Sequence, residues 1–393
     1  MASVMTFQER LETVLSGGVP DRVPCIPLIY YFAASFAGVG GREFLTSMRS
    51  YRRAIDTCYW EAGPFDAMYP LPITMDAPRY DLTMVAALGL KPVLPDASAG
   101  GPQLLQTPET ETLMEPDDYA RIAAGEFPRG LDPMTGFMVE MIARHHGCEP
   151  GLRLFARRFV PDVVRLAARW VAEMRRWRSV GVPFFASYGL EAPFDTFSMA
   201  RGLTGFAVDL RYRGEEIREA ALKMARVMSA GAAVACRATR TNRFLLLLHR
   251  SSNDFISPRQ FKDIAFPAVR EMAGYLDARG IVFCMHCDGN WDRNLEVMAD
   301  LPENSCFQFD GCTDIFRARE ILGERFTLMG DVASTMLAYG EPDEVEEYCR
   351  RVIAEVGANG HFILSSGCEI PSNAKPGNVK AMVAAVRRHG HYR

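Results

Sequence analysis

Residues 257–286 read "SPRQFKDIAFPAVREMAGYLDARGIVFCMH" and contain one helical pattern followed by one strand pattern. Ser257 is placed to cap the helix, Pro258 suits its first position, and Gly280 is a stop signal. The apolar run at 281–286 is rich in Ile, Val and Phe and has the length of a buried strand. This stretch therefore predicts a helix–strand unit of a parallel sheet.

The same kind of unit recurs along the chain. Apolar runs that read as buried strands occur at 22–29, 64–70, 182–189, 244–249, 281–286, 306–310, 326–331 and 361–367. Longer amphipathic stretches separate the later runs. Alternating strands and helices indicate parallel strands, and eight repeats predict an α/β fold of the (β/α)8, or TIM-barrel, type. Because no linker-like stretch separates residues 71–181 from the rest, we interpret them as insertions in the N-terminal half of one domain spanning 1–393.

Composition and charge narrow the function classes. The 393 residues are 48% hydrophobic and 23% charged, which is typical of a globular protein. A formal charge of −4 gives no overall attraction for nucleic acid or an anionic membrane. The N-terminus lacks the basic and apolar regions of a secretory signal, and the apolar runs are too short to span a membrane. Ten cysteines without framework spacing favour reduced thiols, so we expect a cytoplasmic protein.

The stretch "IVFCMHCDGNWD" (281–292) concentrates chemically active side chains. Because side chains alternate along a strand, Cys284, His286 and Asp288 project to one face and Cys287 projects to the other. The C-x-x-C pair is therefore split across the sheet, which argues against a thioredoxin-like redox site. If the more polar set faces the barrel axis, His286 and Asp288 lie at the C-terminal mouth, where such barrels carry their active sites.

A cysteine follows the last apolar run. Cys368 is expected at the same mouth, where closure of the barrel lets it meet His286 and Asp288. Imidazole, thiolate and carboxylate together suit Zn²⁺, with a fourth position left for substrate. The alternative is a hydrogen-bonded His–Asp pair beside a buried structural thiol.

Four carboxylates follow or end predicted strands and are candidate acids. Glu191 and Asp310 are the first choices for a catalytic acid or a ligand, ahead of Asp331. Asp195 is nearly as well explained as an acidic cap of the helix that starts near Pro193. Asp310 and Asp331 have alternatives too, since each is placed to cap the next helix or to orient the metal-site histidine.

Several motifs occur in the order found in a known family. They are "VPDRVPCIP" (19–27), "MHCDGN" (285–290), "MGDVASTMLAYGEPDEVEEYCRRVIAE" (329–355) and "HFILSSGCEIPSNAKPGNVKAMVAAVRRHG" (361–390). With them the chain resembles the uroporphyrinogen decarboxylase superfamily, whose members are (β/α)8 barrels. The resemblance implies one of two activities: porphyrinogen decarboxylation, or methyl transfer to or from a cobalamin carried on a separate corrinoid protein.

Two features of the motifs favour the methyltransferase branch. The decarboxylases hold their substrate with an arginine-rich N-terminal motif, whereas the corresponding "PLIYYFAASFAGVGG" (27–41) contains no arginine. Methylcobamide to coenzyme M transferases bind zinc through a His-x-Cys pair and a distant cysteine. His286 and Cys368 match this pattern, but Asp288 stands where the pair's cysteine is expected. The chain has only part of a corrinoid-binding signature at "CMHCDG", so the resemblance implies cobalamin on a separate protein.

The departure at Asp288 leads to a hypothesis about the substrate. An oxygen ligand in place of sulfur makes zinc a stronger Lewis acid, better suited to an oxygen-bearing substrate. We therefore expect a zinc-dependent methyltransferase that removes a methyl group from a small methylated compound, with a methoxy compound as the expected substrate. The alternatives are a thiol methyltransferase of the coenzyme M type, a uroporphyrinogen decarboxylase-like lyase acting without metal, and a non-catalytic binding module. Whether the protein forms a homodimer is left open.

Overall fold

The centre of the molecule is a six-stranded parallel sheet. The computed structural model describes residues 4–70, 112–127 and 131–392. The strands are β1 (Gly189–Glu191), β2 (Arg243–Leu248), β3 (Val282–Cys287), β4 (Cys306–Phe309), β5 (Thr327–Val332) and β6 (Phe362–Ser366). They lie side by side in chain order, and each neighbouring pair is parallel. Their carboxyl ends therefore meet at one edge of the sheet.

Two further segments close this sheet into a barrel. Residues 24–28 pair with β6, and residues 66–68 lie between them and the segment 183–187 that precedes β1. The backbone hydrogen bonds that complete the ring are Ile26 N to Leu364 O (2.9 Å), Asp66 N to Cys25 O (2.8 Å), Met68 N to Pro183 O (2.9 Å) and Ser187 N to Arg243 O (2.9 Å). Eight extended segments thus surround one axis, which confirms the predicted (β/α)8 architecture.

Helices connect the strands along the chain. They are α1 (Phe7–Leu15), α2 (Tyr30–Phe36), α3 (Gly41–Thr46), α4 (Met48–Ala62), α5 (Asp118–Ala124), α6 (Pro133–His145), α7 (Leu152–Leu154), α8 (Val160–Ser179), α9 (Pro193–Arg201), α10 (Leu203–Tyr212), α11 (Gly214–Thr239), α12 (Pro258–Gln260), α13 (Phe266–Asp277), α14 (Leu295–Met298), α15 (Ile315–Leu322), α16 (Ser334–Tyr339), α17 (Pro342–Glu355) and α18 (Pro376–His389). Among the described residues, no helix has both the length and the apolar character needed to cross a bilayer.

The helix predicted over 257–280 forms with one interruption. Ser257 makes a capping box with Gln260, as its position predicts, and Gly280 adopts a positive φ of 66° at the end. Between α12 and α13, however, residues Phe261–Ala265 form a π-helical turn. Pro267 follows this turn and has no N–H to donate to the carbonyl four residues earlier, which favours a locally widened helix.

The N-terminal half contains a predicted strand over 182–189 and a predicted insertion over 71–181. The strand predicted over 182–189 is wrong in its bounds, because only its last residue belongs to β1 and residues 183–187 pair in isolated bridges and hydrogen bonds. Pro183 has no N–H for a regular ladder. Within the predicted insertion, 71–111 and 128–130 lie outside the described residues, and the described parts form α5 to α8. The single domain over 1–393 stays a prediction.

Candidate active site

The carboxyl end of β3 carries the pair of side chains that strand alternation puts on one face. His286 lies near the end of β3 and Asp288 follows it. Nε2 of His286 is 2.9 Å from Oδ1 of Asp288. The imidazole is buried, whereas about a quarter of the Asp288 side chain (24%) is exposed. The pair therefore lies where the interior of the barrel meets its mouth.

Barrel closure brings the predicted cysteine to the same pair. Cys368 lies two residues beyond β6, and its Sγ is 3.4 Å from Nε2 of His286 although 82 positions separate the two residues. Imidazole, carboxylate and thiol thus converge as the sequence predicted. Cys287 is fully buried and its side chain belongs to the other face of β3, so it does not replace either group.

A second histidine, which the sequence analysis did not select, completes the cluster. His249 follows β2, and its Nε2 is 3.3 Å from Oδ2 of Asp288. One ligand atom each from His249, His286 and Asp288 lie within 4.8 Å of one another, in a group able to hold a metal ion. The signal was present in the sequence, because "FLLLLH" ends in this histidine and the ends of neighbouring parallel strands meet at one edge.

Glu191 contacts His249 and is hydrogen-bonded to neither Asp288 nor Cys368 among the described residues. Its carboxylate oxygens are 2.7 and 2.9 Å from Nδ1 of His249. Nδ1 therefore carries a proton and donates it to Glu191, which directs Nε2 towards Asp288. Burial lowers the pKa of His249, but Glu191 and Asp288 outweigh burial and raise the pKa to about 9. Glu191 is thus an orienting group behind His249, and its predicted role as an acid or ligand stays a prediction.

A buried glutamine sets the orientation of the other imidazole. Nε2 of Gln308 donates to the carbonyl oxygens of Ser366 and Gly367, both at 3.2 Å. Carbonyl oxygens only accept hydrogen bonds, so the amide oxygen Oε1 must face the opposite way. There it lies 2.8 Å from Nδ1 of His286 and 2.5 Å from the hydroxyl of Tyr69. Nδ1 is therefore the protonated nitrogen of neutral His286, and the Nε2 lone pair faces the cluster.

The protonation preferences of the acidic groups follow from this arrangement. Burial raises the pKa of Asp288, but the neighbouring His286 and His249 more than compensate and hold the pKa well below its usual range. Burial raises the pKa of the Cys368 thiol, partly offset by His286. Asp288 is therefore an anion at neutral pH, whereas binding of a metal to Cys368 requires loss of its proton.

The remaining predicted acids serve the loops around the mouth. Asp195 is fully buried and accepts hydrogen bonds from the backbone N–H groups of His249 and Arg250. The cap interpretation of Asp195 is wrong, since the N-cap of α9 is Ala192. Asp195 instead fixes the chain at His249. Burial and the nearby Glu191 raise its pKa to about 7.

Asp310 and Asp331 do not contact the cluster. Asp310 accepts hydrogen bonds from the N–H groups of Gly289 (2.7 Å) and Cys312 (2.9 Å), and so ties the loop after β3 to the loop after β4. Its predicted role as a catalytic acid stays a prediction. Asp331 accepts a hydrogen bond from the Tyr348 hydroxyl at 2.7 Å. Tyr348 belongs to α17, so Asp331 points away from His286 and does not orient it.

A further buried acid beside the site was not predicted. Glu369 follows Cys368 and accepts a hydrogen bond from the backbone N–H of Tyr31 at 3.0 Å. Burial and the charge of Asp288 raise the pKa of Glu369 to about 8. Tyr31 packs edge to face with Tyr30, which in turn packs against Phe44. This part of the mouth is therefore aromatic where an acid-binding site requires arginine.

The donor set fits a zinc ion. An imidazole nitrogen, a carboxylate oxygen and a thiol sulfur are ligand types that zinc takes in proteins, and three such ligands leave a fourth position for substrate. Burial lowers the pKa of His286, but Tyr69, Asp288 and Cys368 outweigh burial and raise this pKa well above its ordinary value. The charged imidazole donates from Nε2 to Oδ1 of Asp288 at 2.9 Å. When His286 is neutral, its Nε2 lone pair and Oδ1 face each other at this distance, an arrangement that a shared cation stabilises.

Comparison with known proteins places this site in a family. The family profile described as Uroporphyrinogen decarboxylase (URO-D) matches residues 172–389, which include all the cluster residues. The chain belongs to the uroporphyrinogen decarboxylase family. Among its relatives, a uroporphyrinogen decarboxylase from Chlorobium luteolum is 24% identical over 242 residues, which cover 58% of this chain and 64% of the relative. One from Saccharophagus degradans is 33% identical over 98 residues, or 25% of this chain and 26% of the relative.

A solved structure shares the whole fold. A methyltransferase from Methanosarcina mazei has a TM-score of 0.67, covers 98% of this chain and is itself covered to 99%, with 19% sequence identity. This likeness concerns the fold. Decarboxylase relatives thus resemble this chain in sequence and a methyltransferase resembles it in fold, so the chemistry must be argued from its own side chains.

Proposed function

We propose that this protein is a zinc-dependent methyltransferase that moves a methyl group between a small methoxy compound and the cobalamin of a separate corrinoid protein. The observation that carries the proposal is the cluster at the barrel mouth. The imidazole of His286, the carboxylate of Asp288 and the thiol of Cys368 converge there, at 2.9 and 3.4 Å from His286 Nε2. A carboxylate-binding arginine is missing from "PLIYYFAASFAGVGG" at this mouth.

His286, Asp288 and Cys368 would hold the zinc ion. When bound, zinc supplies a Lewis acid for the ether oxygen, and the cobalamin of the corrinoid protein supplies the reduced cobalt that takes up the methyl group. Gln308 keeps the Nε2 lone pair of His286 directed at the site by accepting the proton of Nδ1. Asp288 contributes an oxygen ligand that makes the site suited to oxygen chemistry.

His249 is placed to move the proton that demethylation needs. When the C–O bond of a methoxy group breaks, its electron pair stays on the oxygen, and an alkoxide or phenolate is a poor leaving group unless it is protonated. Nε2 of His249 points into the cluster, and Glu191 stabilises the positively charged imidazolium at 2.7 Å. We assign to His249 the donation of this proton from Nε2, with Glu191 holding the ring.

The first experiment measures zinc in the purified protein and in matched variants. About one zinc per chain is expected in the wild type, and none in His286→Ala and Cys368→Ala. Cys287→Ser is the control, because it changes a neighbouring thiol on the other face of β3. A wild type that remains metal-free after zinc is added back would overturn the zinc site and favour proton chemistry by His286 and Asp288 on a carboxylated substrate. The relatives named as uroporphyrinogen decarboxylases support this alternative, a lyase that acts on a carboxylated substrate.

The second experiment measures methyl transfer. Zinc-loaded protein is incubated with methoxybenzene derivatives and chemically reduced free cobalamin, and methylation of the cobalamin is followed by its absorbance. We expect transfer by the wild type and a strong loss in His249→Gln with zinc retained. Loss of zinc from His249→Gln would make His249 a ligand and remove it as the proton donor. Transfer from methylated cobalamin to thiols, with no reaction of methoxy compounds, would identify a thiol methyltransferase instead.

A further inference from the structure

A second candidate binding site lies at the opposite end of the barrel. His249 follows the last residue of β2, whereas Arg243 is its first residue, so roughly 20 Å of strand separates the two ends. Beside Arg243 is a cleft of about 350 Å³ lined by Gln8, Arg178, Gly181, Pro183, Arg240 and Arg243. We call it the arginine cleft. Its lining holds three guanidinium groups, one amide and no carboxylate.

The three arginines of the arginine cleft have no direct carboxylate partner within the described part of the chain. None of them makes an ion pair there, although most ion pairs among the described residues use arginine. Arg178 donates to the carbonyl oxygen of Thr239, which is a neutral group. Burial lowers the pKa of Arg243, and the charge of Glu12 partly offsets this effect. Glu12 lines the adjoining clefts together with Arg243 or Arg240, but it does not line this cleft.

Arg243 is the strongest single argument that the arginine cleft binds an anion. Only 4% of the residue is exposed. Its guanidinium donates to the carbonyl oxygens of Phe185 (2.7 Å) and Phe184 (3.2 Å) and to the side-chain oxygen of Asn242 (3.0 Å). All three acceptors are neutral, so a buried cation lacks a direct counter-ion, which is costly. An anion in the cleft would offset this cost.

Arg240 occupies a backbone position that disfavours it. It ends α11 with a φ of 53°, in the left-handed region where glycine is the usual residue. Its guanidinium makes no hydrogen bond to the described residues. It also lines a neighbouring cleft of about 470 Å³ together with Arg175 and Arg178. A strained position occupied by a free cationic side chain suggests that the side chain itself is used.

An alternative explanation is that these arginines only complement the ends of helices. The α8 and α11 helices end here, and cations near helix C-termini are favourable. This accounts for Arg178 but not for Arg243, which begins a strand. It also predicts that removing the Arg240 side chain costs stability, whereas a ligand site predicts that glycine at this left-handed position gains stability while binding is lost.

We propose that the arginine cleft binds a small anion with at least two phosphate groups. Guanidinium groups donate paired hydrogen bonds to phosphate oxygens, and three of them around one cleft match a ligand of more than one phosphate. The cleft volume lies at the small end of the range for ligand pockets. This site is independent of the chemistry at the barrel mouth.

The test is calorimetric titration of the full chain with inorganic pyrophosphate at about 0.1 M salt. We expect wild-type binding that weakens about tenfold or more in Arg178→Gln and in Arg240→Gly, as loss of a charge-assisted hydrogen bond implies. Arg240→Gly should also melt at a higher temperature than the wild type. A parallel titration with ADP distinguishes a nucleotide from free pyrophosphate as the ligand. Tighter binding of ADP than of pyrophosphate would indicate a nucleotide.

Arg259→Gln is the matched control, because it removes one exposed arginine from α12, which follows the mouth end of β2, whereas the cleft lies at the start of β2. It should bind pyrophosphate as the wild type does. The proposal is overturned if the wild type does not bind pyrophosphate, or if Arg178→Gln and Arg240→Gly bind it unchanged. Equal weakening in Arg259→Gln would also overturn it, because the effect would then reflect overall charge and not this cleft.

Discussion

Replacing Gln308 by Met tests how the candidate zinc site is held. Methionine keeps the length and apolar stem of the side chain but removes both ends of the amide. In the wild type those ends join Nδ1 of His286 to the carbonyl groups of Ser366 and Gly367, just before Cys368. Gln308 therefore links the two halves of the metal cluster across the barrel, and its loss affects both the proton on His286 and the position of Cys368.

The expected magnitudes follow from these contacts. Loss of a partner that orients a metal-bound histidine typically weakens metal binding 10–100-fold, about 1.4–2.7 kcal/mol. Two buried donors, the N–H of His286 and the hydroxyl of Tyr69, lose their acceptor at about 1–3 kcal/mol each. They lie 3.3 Å apart and can partly satisfy each other, so we expect the free energy of unfolding to fall by about 2–3 kcal/mol.

The assay is competition for zinc between the protein and a chromophoric chelator, combined with urea unfolding. Nitrogen-15 NMR of the metal-free protein, at a pH where His286 is neutral, reports separately which nitrogen of His286 carries the proton. Tyr69→Phe is the control, because it removes a second donor to Gln308 but leaves the bond to His286 intact. If folded Gln308→Met binds zinc as tightly as Tyr69→Phe and the His286 proton stays on Nδ1, the positioning role of Gln308 is refuted, whether or not the enzyme transfers methyl groups.

Three further variants test the barrel around the site. Arg10→Met should lower the free energy of unfolding, measured in urea, by about 3 kcal/mol, because the buried Asp66 then keeps only Arg22 as an ion-pair partner. A loss below about 1 kcal/mol would contradict this prediction. Burial raises the pKa of Asp331 from 3.8 to about 7, so its uncharged form is favoured by folding and wild-type stability should fall between those pH values and level off above. Asp331→Asn should make this fall shallower, with Asp195 and Glu369 still contributing to it, and an unchanged profile would refute the role of Asp331. Gly367→Ala should weaken zinc binding, because a Cβ there would lie 2.2 Å from the Asp310 carbonyl oxygen; unaltered zinc content would show that the backbone adapts.

Much of the candidate site could be predicted from the alternation of side chains along β3. Strand alternation places His286 and Asp288 on one face and Cys287 on the other, and this needs only the local period of two. The barrel then predicts that Cys368 comes to the same edge. His249 was within reach of the same argument, since it ends the strand next to β3, and it was missed because a single histidine after an apolar run has no local partner in the sequence.

The interactions of the predicted acids were beyond sequence reasoning. Glu191 contacts His249 across 58 residues, and Asp310 ties together two loops. Each of these contacts depends on which rotamer and which loop path the packed barrel allows. An acid that follows a strand reaches the mouth in every (β/α)8 barrel, but its partner is chosen by side chains from neighbouring strands.

The sequence by itself determined the secondary structure of the C-terminal half, the α/β class and the face of β3 that carries polar groups, because these follow from residue spacing within short segments. The tertiary structure alone decided how closely Cys368 approaches His286, which nitrogen of His286 carries the proton, and that three arginines share one cleft. These features depend on ångström-scale distances between segments far apart in the chain. Such distances are fixed by strand register and barrel closure, and spacing along the sequence does not encode them.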